Sequence, residues 1–221
     1  MTNDSRARNV HITLESTGHE GLLGIPDGAE AIVVFAHGSG SSRFSPRNEL
    51  VARTLRASGL ATLMFDLLTE DEDSIYENRF NIDLLSRRLL GATEWLRQQS
   101  QLREMTVGYF GASTGAAAAL KAAAALGPGI RAVVSRGGRP DLAGAELSAV
   151  QAATLLIVGG NDEIVIELNK QAYAKLRATK ELRIIPGASH LFEESGTLDQ
   201  VARVATGWFT RFLTEVPQTI H

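Results

Sequence analysis

Gly111-Ala112-Ser113-Thr114-Gly115 stands between the apolar run Met105 to Phe110 and the alanine-rich run Ala116 to Leu126. That is the pattern of a strand handing over to a helix, and a serine at such a junction is a candidate nucleophile. Flanking glycines are needed because the turn is so tight that a side chain there would strike the neighbouring strand or helix. The serine itself is held in a strained conformation that pushes its hydroxyl out at the strand's end. Gly-x-Ser-x-Gly alone is a common string, so its partners must be found elsewhere in the chain.

A serine hydroxyl is a poor nucleophile at neutral pH. It needs a base within hydrogen-bond reach and a third group to hold that base in the right tautomer. The chain has five histidines. His11 and His19 lie in or beside an opening hairpin and His221 is the last residue, whereas His37 and His190 each follow a predicted strand and can reach the sheet edge where Ser113 must sit. His190, in the loop Pro186-Gly187-Ala188-Ser189-His190-Leu191-Phe192, comes after every candidate acid and is the expected base. His37-Gly38-Ser39-Gly40 follows the apolar run Ala31 to Ala36, and its glycines allow backbone amides to face a developing oxyanion. The expected acid is Asp162, in the loop Gly159-Gly160-Asn161-Asp162-Glu163 after Thr154 to Val158, with Asp141 and Glu163 as alternatives. A purely structural task for Asp162 would be to cap a helix beginning near Val165, and the two tasks are compatible.

Short apolar or β-branched runs alternate with segments of helical period, which predicts a mostly parallel sheet covered by helices on both faces. The expected strands are Val10 to Leu14, Gly21 to Ile25, Ala31 to Ala36, Ala61 to Phe65, Thr106 to Phe110, Ala132 to Ser135, Thr154 to Val158 and Leu182 to Ile185. The first two are joined by a short polar turn and are expected to be antiparallel. The others are continuous in polarity, as strands buried on both faces should be. Ile82, Leu85, Leu89, Ala92 and Leu96 step by three and four, as do Leu198, Val201, Ala205, Trp208 and Phe212, so each set forms one apolar stripe of a core helix. Ser45-Pro46 reads as an N-cap and first helical residue of a helix through about Ala57 that Gly59 closes. The alanine run after the elbow permits close packing on the sheet, and Gly127-Pro128-Gly129 ends it. Tyr109 and Phe110 are expected core residues.

With 221 residues and 44% hydrophobic content, the chain can bury one good core and is short for two, so residues 1–221 are read as one domain. A net charge of −3 and a pI near 6.0 offer no basic surface for nucleic acid or an anionic membrane. The absence of cysteine excludes disulfides, thiolate metal sites and a thiol nucleophile. No apolar stretch approaches the roughly 20 residues of a membrane span, and the polar start at Met1 to Val10 lacks the apolar core of a secretory signal. A cytoplasmic protein acting on small molecules is expected.

On these residues the chain resembles the α/β-hydrolases, and among them the small dienelactone-hydrolase-like branch. Three features carry the resemblance across nearly the whole chain: the His37 to Gly40 loop after the third strand, the Ser113 elbow after the fifth, and Asp162 then His190 after the last two. The superfamily order of nucleophile, acid and histidine is reproduced as Ser113, Asp162, His190. The resemblance implies an α/β-hydrolase fold of about eight strands and acyl transfer by a serine esterase acting on small carboxylic esters or thioesters. The oxyanion hole would be made by the amides of Thr114 and Ser39, with no cofactor or metal. Dienelactone hydrolases proper use a cysteine nucleophile, so their lactone substrate is not carried over. About 18 residues separate Ser135 from the next predicted strand, too few for the helical lid of many relatives, and an open site is expected. A peptidase or amidase with the same triad is the enzymatic alternative. A non-catalytic ligand- or partner-binding domain is another, since such domains also occur attached to phosphoribosyltransferases. A homodimer or protein partner is left open.

Arg43, Arg47, Arg136 and Arg139 gather after the third and sixth strands. Planar guanidinium groups there could hold a carboxylate or phosphate on a substrate. Alternatively they pair internally with Asp66, Glu70 or Asp141, which is the commoner task of loop arginines and the one favoured here. Asp66 ends the fourth strand, ahead of Ser113 in the chain, and is read as a loop brace. His37, Gly38, Gly40, Arg43 and Arg136 are the candidate substrate-facing residues beside the expected triad.

Overall fold

The computed structural model describes residues 7–214; the N-terminal stretch up to Arg6 and the terminal His221, both weighed above, lie outside the described residues. Eight strands form one sheet in the order β1-β2-β4-β3-β5-β6-β7-β8. β1 (Arg8–Leu14) and β2 (Thr17–Gly24) make the antiparallel start, and β2 also pairs antiparallel with β4. β3 (Ala31–Ala36), β4 (Ala61–Phe65), β5 (Thr106–Ala112), β6 (Ala132–Arg136), β7 (Ala153–Gly159) and β8 (Lys180–Ile185) then run parallel. All eight expected strands are present. The largest boundary difference is at β2, which starts at Thr17 because pairing continues to the Leu14–Thr17 register. There, backbone hydrogen bonding outlasts the apolar pattern from which its start was read.

Every residue of β3, β4, β6 and β7 is buried, as two-sided coverage requires. β8 departs from that expectation: five of its six residues are half-buried or exposed before the buried Ile185 closes it, Arg183 and Ile184 being the exposed ones. As the last strand it has one neighbour, and charged side chains blunt its free edge.

Six α-helices flank the sheet: α1 (Pro46–Ala57), α2 (Glu70–Asp73), α3 (Ile82–Gln98), α4 (Thr114–Leu126), α5 (Glu163–Lys175) and α6 (Thr197–Phe209). Alternate strand residues divide the core in two. Ile32, Val34 and Ala36 pack with α3, α4 and Ala172 of α5, whereas Ala31, Val33 and Phe35 pack with α1 and α6. The alanines of α4 are buried from Ala116 to Ala119, so small side chains let that helix lie close on the sheet. Ser45 caps α1 by accepting from the Asn48 amide at 3.3 Å, Pro46 opens it, and Gly59 turns the chain away at φ 84°. Between β6 and β7 there is a single segment of 3-10 turns, Pro140–Ala149, and no lid. Among the described residues no helix is long and apolar enough to cross a membrane.

Candidate active site

Ser113 separates β5 from α4 at φ 51°, ψ −123°. Its amide donates to the Arg136 carbonyl at 3.3 Å, and its own carbonyl accepts from Ala116 at 3.1 Å and from Arg139 at 3.1 Å. The two glycines of the elbow are required by their neighbours. A Cβ on Gly115 would run into the carbonyl oxygens of Ala36 and His37, and one on Gly111 would run into the backbone of Ala116. Gly38 comes as near from the other side, since a Cβ there would stand 3.0 Å from Ser113 Cβ.

Asp162 occupies the N-cap position of α5, yet its side chain makes no cap hydrogen bond. Its Oδ2 instead meets His190 Nδ1 at 2.6 Å, with the carboxylate side chain 16% exposed and the imidazole 41%. Of the two compatible tasks foreseen for this aspartate, the side chain takes the one directed at histidine. Asp141 is occupied by Arg139 through two bonds of 2.9 and 2.8 Å, and Glu163 is exposed on α5.

The His190 loop is held by contacts that its sequence did not advertise. A side chain on Gly159 would collide with the carbonyls of Ala188 and Ser189. Asn161 donates from its amide to Ala188 at 2.9 Å and from Nδ2 to Gly187 at 3.0 Å. Glu194 accepts from the Ser189 amide at 3.0 Å, and that bond holds its carboxyl below the usual range. Phe192, at φ 57° and buried, anchors the exit of the loop; a bulky residue in a left-handed conformation leaves no sequence signal. His190 and Ser113 share the Arg136–Arg139 turn as neighbour, because a Cβ on Gly137 would lie 3.6 Å from His190 Cε1. Ser113 Oγ and the imidazole are not hydrogen-bonded to each other among the described residues.

In the loop after β3, His37 Nε2 accepts from the Leu67 amide at 3.1 Å and Nδ1 donates to the Gly38 carbonyl at 3.0 Å. Burial lowers its pKa, so the ring is neutral with its proton on Nδ1. Both ring nitrogens are thus spent on tying the β3 and β4 loops together, and His37 has none left for a ligand. The Ser39 amide donates to Thr114 Oγ1 at 3.2 Å, which draws the Gly38–Gly40 loop against the start of α4. Arg43 pairs with Asp66, which also accepts from the Arg43 amide at 2.7 Å. That is the brace expected of Asp66. Between these two loops lies a cleft of about 320 Å³ whose walls include Ser41, Phe44, Leu68 and Asp73. Arg136 differs from the other arginines of this edge in having no acid partner among the described residues. No group of three or more histidine or acidic residues able to hold a metal occurs among the described residues.

The Dienelactone hydrolase family model matches residues 19–214. A crystal structure of dienelactone hydrolase from Anabaena variabilis is 52% identical and superposes with a TM-score of 0.93, over 96% of this chain and 100% of that one. An α/β serine hydrolase without a lid from Xanthomonas campestris is 20% identical with a TM-score of 0.74, over 96% of this chain and 98% of its own, which is a likeness of fold. A Mycobacterium tuberculosis protein named "Putative phosphoribosyl transferase" is 57% identical over 204 residues, 92% of this chain and 46% of that protein. The chain therefore spans about half the length of this curated relative.

Proposed function

The chain belongs to the dienelactone hydrolase family, and from that premise we propose that it is a serine esterase cleaving small carboxylic esters or thioesters through an acyl-enzyme. Ser113 is the nucleophile, His190 the general base and Asp162 the group that orients the imidazole. The observation that carries this reading is the choice made by Asp162. An aspartate at a helix N-cap normally satisfies a backbone amide, but this one leaves its helix uncapped and meets His190 Nδ1 at 2.6 Å. That bond places the proton on Nδ1 and leaves Nε2 as the basic atom, the tautomer a serine nucleophile needs.

In the reaction Ser113 Oγ adds to the substrate carbonyl while His190 Nε2 takes the hydroxyl proton. The imidazolium, stabilised by Asp162, returns that proton to the departing alcohol or thiol. Water then adds to the acyl-enzyme by the same route and regenerates Ser113. The oxyanion of each tetrahedral intermediate would be met by the Thr114 amide at the start of α4 and by the Ser39 amide. The latter exchanges its present acceptor, Thr114 Oγ1, for the stronger charged one. The positive end of the α4 dipole adds to the same field. Phe44, Tyr76 and Phe80 are exposed on loops that follow β3 and β4, which suits an organic ester entering a lidless rim.

The test is Ser113→Ala. Turnover of a short-chain nitrophenyl ester should fall by roughly a thousandfold or more with the circular dichroism spectrum unchanged, and covalent labelling by a fluorophosphonate should vanish. Retention of most of the turnover would remove Ser113 from the mechanism.

A further inference from the structure

Arg136 is the last residue of β6. Strand alternation puts its side chain on the face of Val134, which packs with α1 and α6. It is 8% exposed, and its Nε and Nη1 are sealed from solvent with no hydrogen-bond partner. Nη2 also has no partner and is not sealed, so it forms the solvent-facing corner of the group. The charged neighbour of Arg136 is another cation, Arg47 on the first turn of α1. Burial first, and Arg47 second, push the Arg136 pKa down to about 10, so it remains a cation at neutral pH. Arg47 has an orphaned Nε of its own and one long contact, 3.4 Å, to the exposed Glu193.

This arrangement is unlike the chain's treatment of its other buried arginines. Arg56 meets Glu49 at 2.8 Å and Thr62 at 3.0 Å, and Arg88 is held by Glu15 at 3.1 Å and by Glu72. An uncompensated buried cation is costly, and the half-buried Arg47 beside it, only loosely met by Glu193, adds to that cost. No acidic side chain among the described residues supplies a counter-charge to Arg136. The place is also specific: the Arg136 carbonyl accepts from the Ser113 amide at 3.3 Å, Gly137 abuts the His190 ring, and Glu193 follows in the same loop.

We propose that Arg136 and Arg47 form a phosphate subsite beside Ser113, so that the ligand carries a phosphate group. Two guanidinium groups match the double charge of a phosphate, whereas a carboxylate would neutralise one of them. Arg136 offers its unsealed Nη2 corner to one phosphate oxygen and Arg47 faces another, and the weakly bound Glu193 is displaced as the anion arrives. That the phosphate belongs to an ester substrate rests on the hydrolase reading above; that the subsite binds phosphate does not.

Thermal unfolding with inorganic phosphate, against sodium chloride and sodium acetate at matched ionic strength, tests this. Phosphate should raise the melting temperature of the wild-type chain and of Ser113→Ala alike, while acetate and chloride do so far less. Arg136→Met and Arg47→Met should need at least tenfold more phosphate for the same shift. Arg136→Lys, which keeps the charge and loses the fork, should show the same weakening and serves if the methionine variant does not fold. No phosphate response in the wild type, an undiminished response in the arginine variants, or acetate matching phosphate overturns the subsite. Phosphate binding by Ser113→Ala stands whether or not Ser113 hydrolyses esters, so the two readings fail separately.

Discussion

Ser113 at φ 51° occupies a conformation that costs a serine about 1–3 kcal/mol, and the strain is held by backbone bonds to Arg136, Ala116 and Arg139. Gly111 and Gly115 could be read as necessary from their spacing alone, because the need is steric and local. The commitment of Asp162 to His190 could be foreseen as one of two tasks but not decided, since the residues are 28 apart in the chain and only folding brings their loops together. Asp162→Asn should keep the fold and reduce kcat by about 10³–10⁴-fold, because the amide favours the wrong imidazole tautomer. Stopped-flow acylation of the variant checks this, and a loss below tenfold would show that His190 does not depend on the carboxylate. The roles of Asn161 and Phe192 carry no sequence signal. Their work is to shape a loop through backbone contacts, which any sequence of suitable size could do.

At the scale of elements, strands were legible where apolar runs are continuous and boundaries blurred where pairing extends into polar residues, as at Thr17 of β2 and Lys180 of β8. The helix α1 was readable to the residue because its signals are chemical: a hydroxyl cap, a proline, and a closing glycine. Ser45→Ala should lower stability by about 1 kcal/mol through the loss of that cap, seen as a lower urea midpoint at unchanged m-value. No shift would mean that the Asn48 amide finds another acceptor. By contrast, α2 and the 3-10 turn Tyr76–Phe80 that follows it had no periodicity to betray them. They are held by the capping box of Thr69 with Glu72, and by Asn78 reaching the Glu72 carbonyl at 2.9 Å.

For the whole molecule, the buried histidines link stability to pH. His37 and His19 both have pKa values lowered from 6.5, chiefly by burial, so each is neutral in the fold. Below about pH 6.5 the unfolded chain binds protons that the folded chain refuses. Their contribution is therefore complete above that pH and is lost as the pH falls towards the lowered values, by up to about 1.4 kcal/mol per pH unit for each histidine. Urea unfolding between pH 7.5 and 5.5 should show this slope, above the window in which Glu72, lowered from 4.5, adds its own, and His37→Gln should flatten it. An equal slope in that variant would assign the effect elsewhere. The pattern of buried runs and amphipathic helices by itself determined the sheet, its two helical faces and the rim to which Ser113, Asp162 and His190 belong, because strand and helix preferences are set by neighbours in the chain. Only the tertiary structure decided the pairing of charges. Arg43 meets Asp66 and Arg139 meets Asp141 while Arg136 is left alone, because Coulomb attraction and desolvation depend on distances and burial that sequence order does not contain.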